Sequence, residues 1–278
     1  MAAINAKDVM KLRNTTGLAM MECKKALTEA EGDFEKAENL LRLKLKGKMD
    51  SRTERVAGEG AIVIATKGDS VVMVEVRAET DFTAKNDRFA AAVQQIAEIA
   101  LEGPDGCIEP TEAMTALIDD VRISTGENCS IARVCKLTNA GGSFGSYIHH
   151  DGKTAALVEV EGEASVETLR DVCMHIAAGV PTVPLGISPD DVPKEAAEKE
   201  KAFRIQQAVE SGKPKEIAEK IVEGGMRKYY EEVALSLQPF VKDPSKTIAE
   251  VVGSGVTIKA FHRWMVGEET KACECCKG

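Results

Sequence analysis

Residues 61–66 read Ala-Ile-Val-Ile-Ala-Thr, and residues 71–76 read Val-Val-Met-Val-Glu-Val. Both runs are rich in the β-branched residues that favour strands, and Lys67-Gly68-Asp69-Ser70 between them is typical of a turn. The stretch therefore predicts an antiparallel strand pair. The apolar residues after Asn86 recur at helical spacing, so a helix is predicted to follow the pair.

The same pattern recurs in the second half of the chain. Strands are predicted at 146–150 and 155–160, with a helix over about 166–178. Val-Glu-Val of the second strand recurs after 84 residues, but Ile-Ala of the following helix recurs after 80. The first copy therefore holds four more residues between strand and helix. Insertions in repeats map to surface loops that carry function, which directs attention to residues 80–86, Thr-Asp-Phe-Thr-Ala-Lys-Asn.

The fold class predicted from these patterns is α+β. The predicted divisions are a three-helix module at 1–47, a linker at 48–59, a core N-subdomain at 60–139, a core C-subdomain at 140–267 and a cysteine-rich tail at 268–278. A helical-hairpin insert is predicted at about 188–232 of the second subdomain.

Two apolar stripes support the helical segments. In the module, Met20, Cys23 and Leu27 have the spacing of one buried helix face, which would leave Met21 about 100° away. In the insert, apolar stripes are predicted at Ala202, Ile205 and Val209 on one helix and at Ile217, Ile221 and Val222 on the other. A narrow apolar seam with balanced charge suggests a projecting two-helix arm or a dimer contact.

The composition argues against several classes of protein. The net charge of −9 disfavours nucleic acid as the main partner, because phosphate binding needs clustered Lys and Arg. No signal peptide and no run of 18 apolar residues is recognised, so no membrane association is expected. Five cysteines are spread singly, as in reduced cytosolic proteins, and a cytoplasmic location is expected.

The sequence lacks the common catalytic motifs. It contains no phosphate-binding loop of the G-x-x-x-x-G-K-[ST] form and no H-E-x-x-H. His149 and His150 are adjacent on a predicted strand, so their rings are expected on opposite faces. Cys273-Glu274-Cys275-Cys276 offers three thiols without a recognisable fourth ligand. No metal, cofactor or catalytic residue is therefore expected.

Residues 80–86 permit two interpretations. Asp81 could cap a single turn, Asn86 could cap the next helix, and Phe82 could fill the core. Alternatively, a carboxylate beside an aromatic ring at a loop tip has the groups needed to open a protein interface. Exposed methionines such as Met21 also suit adaptable apolar contacts.

Several blocks in order resemble the bacterial elongation factor Ts family. The resemblance covers residues 4 to about 267. The matching blocks are Leu12-Arg13-x-x-Thr16-Gly17-x-x-Met20-Met21-x-Cys23-Lys24-Lys25-Ala26-Leu27, Gly32-Asp33, Thr80-Asp81-Phe82-x-Ala84-Lys85-Asn86, Gly126-Glu127-Asn128, Gly145-Ser146-Tyr147-x-His149, the run 211–220, and Gln238-Pro239-Phe240.

The resemblance implies a guanine-nucleotide exchange factor, not an enzyme, with a UBA-like N-terminal module. Its expected partner is elongation factor Tu, both GDP-bound and nucleotide-free. The loop Thr80, Asp81, Phe82 and Thr83 would displace the partner's Mg²⁺. The implied partner contacts are Met20, Met21, Lys24, Gly126 and His149.

One residue and one segment depart from the family pattern. Two other functions are alternatives to the exchange factor. Thr83 stands where an apolar residue is usual, which costs little if the side chain is exposed. The tail after Gly267 lacks the amphipathic helix of some members. The competing hypotheses are a thiol or zinc enzyme using His149 with the tail cysteines, and a helical adaptor that binds through residues 4–48.

Overall fold

The computed structural model describes residues 5–50, 55–212 and 214–269, and for residues 42 and 44–50 it describes the backbone alone. The chain has the predicted α+β fold, with N-terminal helices followed by antiparallel sheets. By its internal contacts it divides into two compact units. Unit 1 contains the described residues up to Thr138, the turn Asp151–Lys153 and the segment from Met265 onward. Unit 2 contains Asn139–His150 and Thr154–Trp264.

Three helices begin unit 1. They are α1 (Ala6–Thr16), α2 (Met20–Glu29) and α3 (Phe34–Asp50). The Asn5 side chain caps α1 by accepting from the Lys7 N–H, and Gly17 ends it in the left-handed conformation that glycine favours. Helix α3 extends to Asp50, three residues into the segment predicted as linker.

The core of the three helices differs from the prediction at one position. The apolar stripe predicted burial of Cys23 and Leu27, and both are buried in α2, together with Ala26. Met20, however, is 46% exposed. It is the first residue of α2 and lies a turn before the buried stripe, so placing Met20 in the core was wrong.

The first sheet-plus-helix copy completes unit 1. Its elements in chain order are β1 (Glu59–Lys67), β2 (Ser70–Ala78), α4 (Asp81–Ala84), α5 (Asp87–Leu101), β3 (Gly106–Cys107), α6 (Glu112–Thr125) and β4 (Cys129–Thr138). The sheet has the antiparallel order β1-β2-β4-β3. Phe89, Val93 and Ile96 of α5 are fully buried against it.

Unit 2 repeats this arrangement with an insert. Its elements are β5 (Gly142–Ile148), β6 (Thr154–Glu161), α7 (Val166–Ala178), α8 (Lys194–Glu210), α9 (Lys215–Val233), β7 (Pro239–Phe240), β8 (Asp243–Thr247), α10 (Ile248–Val252) and β9 (Thr257–Met265). The order β5-β6-β9 corresponds to β1-β2-β4, and β7 pairs with β8. Helix α7 has the predicted bounds.

The two-helix arm formed by α8 and α9 buries a different stripe from the one predicted. Ala202 and Val209 are exposed, and Ile205 is half-buried. Ile217 and Ile221 of α9 are also exposed. The side chains of α9 that are buried are Ala218, Val222, Met226, Tyr229 and Val233. Their spacing of three and four residues defines one face, and of the predicted residues only Val222 lies on it.

The predicted domain division remains a prediction, and two segments of unit 1 lie outside the ranges predicted for the module, the linker and the N-subdomain. The turn Asp151–Lys153 and the segment from Met265 onward belong to unit 1. Within unit 1, Gly267 donates its N–H to Glu75 of β2 at 3.2 Å, and Val266 donates to the carbonyl of Lys153 at 2.8 Å. Hydrogen bonds therefore attach both segments to that unit.

Candidate functional site

The four extra residues of the first copy form one helical turn. Helix α4 spans Asp81–Ala84, and no comparable turn separates β6 from α7 in the second copy. Thr80 caps α4, with its hydroxyl accepting from the Thr83 N–H at 3.4 Å. Asn86 then caps α5 by accepting from the Arg88 N–H at 2.8 Å. The insertion is thus a separately capped turn between a strand and a long helix.

Two neighbouring side chains of α4 differ in exposure. Phe82 is 83% exposed, so the interpretation in which its ring fills the core is wrong. Thr83 is only 5% exposed, so this departure from the family pattern lies at a buried position and not at an exposed one. Because successive side chains of a helix point about 100° apart, Thr83 can be buried while Phe82 remains in solvent.

The carboxylate of Asp81 is paired with a lysine. Lys85 Nζ lies 2.8 Å from Asp81 Oδ2, one helical turn further along. The hydrogen bond and the charge of Lys85 lower the pKa of the Asp81 carboxyl, and the charge of Lys153 adds to this effect. Asp81 is therefore ionised at neutral pH, and the charges of Lys85 and Lys153 both favour its ionised form.

Glu127 holds the start of the turn from the loop after α6. Its carboxylate accepts from the Thr80 hydroxyl at 2.8 Å and 3.0 Å and from the Thr80 N–H at 3.2 Å. Gly126 makes this possible because its left-handed conformation (φ 74°) ends α6 and redirects the chain. The structure thus brings Gly126 and the Thr80 loop together. The role of Glu127 was missed from the sequence, although it stands inside a matched block.

The candidate contact residues of the module are on its surface. Met21 is 62% exposed, and Met20 and Lys24 are also exposed. A hydrogen bond joins the module to the rest of unit 1, because Arg88 of α5 donates to the carbonyl of Asn14 at 3.1 Å. Arg88 directly follows the first residue of α5, so the module is attached close to the turn that carries Phe82.

His149 lies in unit 2 and differs from its prediction. Strand β5 ends at Ile148, so His149 and His150 occupy the turn and not the strand. Their ring centroids are 4.2 Å apart, and the prediction of opposite faces was wrong because strand alternation does not extend into a turn. His149 Nδ1 also lies 3.3 Å from the Tyr147 hydroxyl.

The described residues offer little to metal or thiol chemistry. Across 5–50, 55–212 and 214–269, no three His, Cys, Asp or Glu side chains are grouped to hold a metal ion. Burial, with the charge of Glu127, raises the pKa of Cys129 to about 12, and burial raises the pKa of Cys173. Both remain protonated and unreactive. Cys273, Cys275 and Cys276 lie outside the described residues.

Membrane insertion through a helix finds no support in this part of the chain. Within the described ranges, none of the helices combines the length and the apolar character needed to cross a bilayer.

Comparison with known proteins gives one consistent result. The family model described as elongation factor TS matches residues 79–268. Elongation factor Ts of Alkalilimnicola ehrlichii is 41% identical over 278 residues, covering 96% of this chain and 93% of the relative. The proteins of the same name from Maricaulis maris and Cupriavidus pinatubonensis are 39% and 41% identical, with 96% of this chain covered and 93% and 92% of each relative. The chain therefore belongs to the elongation factor Ts family, a family of translation elongation factors.

Proposed function

We propose that this chain is a guanine-nucleotide exchange factor for elongation factor Tu. It binds Tu in the GDP-bound and nucleotide-free states and speeds GDP release. The observation that carries the proposal is the exposed Phe82 on a separately capped turn, present in one repeat and absent from the other, in a member of this family. A large aromatic side chain kept in water loses the stabilisation that burial would give, which favours a role in binding.

In the proposed mechanism, two neighbouring residues have different roles. Phe82 enters the packed nucleotide domain of Tu, and the ionised Asp81 disturbs the partner's Mg²⁺ and its water network. Mg²⁺ and the amides of a phosphate loop hold a nucleotide jointly, so moving either loosens the other. Exchange factor and nucleotide then weaken each other's binding by the same factor, which lets GTP displace the factor later.

The remaining contacts would position this turn. Met20, Met21 and Lys24 of the module, with Gly126 and His149 of the two core subdomains, are the proposed contact points. The module at 1–47 and the subdomains at 60–139 and 140–267 would serve as one binding protein without covalent chemistry, acting in the cytoplasm. Exposed Phe203, Ile217 and Ile221 suit a protein contact of the arm, and sedimentation analysis would test a homodimer formed through it.

The test is the release of labelled GDP from Tu. The wild-type chain is expected to accelerate GDP release. Phe82→Ala is expected to reduce this acceleration by a factor of about ten or more, since aromatic hot spots contribute about 2 kcal/mol. The matched control is Val166→Ala, because Val166 is 84% exposed at the start of α7 in the other repeat. Its rate should equal that of wild type. A wild-type chain that leaves GDP release unchanged would refute the proposal.

A further inference from the structure

Two chain segments continue side by side beyond the end of the β2–β4 ladder. The last backbone pair of that ladder joins Ala78 to Cys129. Past it, the Glu79 carboxylate accepts from the Asn128 N–H at 2.6 Å, and the Glu127 carboxylate accepts from the Thr80 N–H at 3.2 Å. Each segment therefore supplies a carboxylate to a backbone donor of the other, in place of ladder hydrogen bonds.

Glu127 makes a further contact that Glu79 does not. Both of its carboxylate oxygens lie within 3.0 Å of the Thr80 hydroxyl, at 2.8 Å and 3.0 Å. An ionised carboxylate only accepts, so the hydroxyl must donate its hydrogen to Glu127. The lone pairs of the hydroxyl then remain available to the Thr83 N–H, at 3.4 Å. Glu127 thus determines the orientation in which Thr80 caps α4.

The corresponding helix start of the second repeat is capped in a different way. Ser165 caps α7 by accepting from the Thr168 N–H at 3.0 Å, and its hydroxyl also pairs with the Thr168 hydroxyl at 2.9 Å. Both contacts are local to one helix start. The capping carboxylate from a distant loop therefore occurs in the repeat that carries the inserted turn.

We propose that Glu127 is a positioning residue for exchange, which fixes the direction of α4 and thereby aims Phe82. It acts through Thr80 and not by touching the nucleotide or Mg²⁺ of the partner. The inference rests on the proposed exchange function and adds to it a residue 47 positions away in sequence. Without Glu127, the turn keeps its sequence but loses the group that orients its cap.

The first experiment needs no partner and so is independent of the proposed function. Amide hydrogen exchange is measured by NMR in the whole chain for Thr83 and Lys85, whose N–H groups bond within the turn. Glu127→Ala is expected to speed exchange at both by about tenfold, equivalent to about 1.4 kcal/mol. The control Glu98→Ala removes an equal charge from the exposed face of α5 and should change neither rate. Unchanged exchange in Glu127→Ala would overturn the proposal.

The second experiment is a double-mutant cycle on GDP release at saturating factor. Glu127→Ala is expected to lower the saturated rate about tenfold in the wild-type background, and less than about twofold in the Phe82→Ala background. A general loss of stability would reduce both backgrounds by the same factor, and that result would overturn the proposal. An inactive wild type would instead refute the exchange function and leave the NMR result to decide the role of Glu127.

Discussion

Asp81 presents a charge that is already compensated inside its own turn. Lys85 bonds to its carboxylate at 2.8 Å, the Lys85 side chain is exposed, and the Asp81 side chain is partly exposed. An exposed ion pair of this kind contributes little to stability. In the proposed mechanism the ion pair has a chemical consequence, because Asp81 would have to leave Lys85 before its carboxylate could act on the partner's metal site.

At the residue scale, we expect Lys85→Met to raise the pKa of the Asp81 carboxyl, because the hydrogen bond with Lys85 is the main cause of the lowered pKa. Lys153→Met should raise the pKa less, since Lys153 acts through its charge alone. A titration of the side-chain carboxyl carbon by NMR measures both variants. An equal change in both, or none in Lys85→Met, would contradict the assignment.

His175 is a buried residue that lies outside the sequence motifs. Its Nδ1 accepts from the Val241 N–H at 3.2 Å, so Nε2 carries the proton and donates to Gln238 Oε1 at 2.9 Å. The Gln238 amide in turn donates to the carbonyls of Thr182 and Glu232. This network joins α7, the connector after it and the end of α9 within unit 2. It requires the neutral imidazole.

We expect unit 2 to lose stability between about pH 7 and pH 5.5. Burial lowers the pKa of His175, while an unfolded histidine binds a proton near pH 6.5. The unfolded chain therefore binds more protons in this range, and stability decreases as the pH decreases. Urea unfolding followed by Trp264, the sole tryptophan and a buried residue of unit 2, measures this. His175→Gln should lower stability at pH 7.5 and flatten the slope.

At the scale of elements, the second repeat shows how a strand and the following helix can be joined without α4. In the second copy four residues, 162–165, join strand to helix, and Gly162 takes a positive φ of 97° there. Deleting residues 81–84 from the first copy leaves Glu79, Thr80, Lys85 and Asn86, of which Asn86 still caps α5. The element that disappears is therefore the inserted turn alone.

We expect this deletion, combined with Glu79→Gly to permit the positive φ, to fold and to lose GDP-release activity. The cost in stability should be about 1–3 kcal/mol, since the buried Thr83 and the hydrogen bond from the Asn128 N–H to the Glu79 carboxylate are removed. Circular dichroism during thermal unfolding checks the fold, and labelled GDP release checks the activity. A deletion variant that retains activity would show that the turn is not the acting element.

At the scale of the whole molecule, a buried carboxylate organises unit 1. Glu75 of β2 is fully buried and lies between Arg77, at 2.8 Å, and Arg133 of β4, at 2.6 Å. It also accepts from the Gly267 N–H, 192 residues further along the chain. Removing one partner from a buried charge cluster is costly because the remaining charges lose their compensation.

Glu75→Ala is expected to destabilise unit 1 by about 3 kcal/mol. The corresponding residue of the second copy, Glu159, is half-buried, so Glu159→Ala should cost less than about 1 kcal/mol. Amide exchange in β2 and β4 under native conditions measures the change in unit 1. Equal effects of the two substitutions would contradict the proposed role of the buried cluster.

Local patterns predicted most of this fold, whereas distant contacts escaped them. The strand pair at 61–76, the bounds of α7 and the cap at Asn86 follow from spacing and capping chemistry within a few residues. The extra four residues were found by comparing repeats, and they form one turn. The bond between Thr80 and Glu127 spans 47 positions and leaves no local signal. The contact between the His149 and His150 rings depends on where a strand ends, which is the least certain feature of a sequence pattern.

The attachment of Gly267 to Glu75 also concerns how the protein is made. A ribosome synthesises β2 long before residue 267. The hydrogen bond from the Gly267 N–H to Glu75 can therefore form only after 192 further residues have been added. Domains generally fold in order of synthesis. Here the unit that is started first can be completed only after the strands and helices of the other unit have emerged. Vectorial synthesis therefore leaves the Glu75 carboxylate without one of its hydrogen-bond donors until residue 267 has emerged.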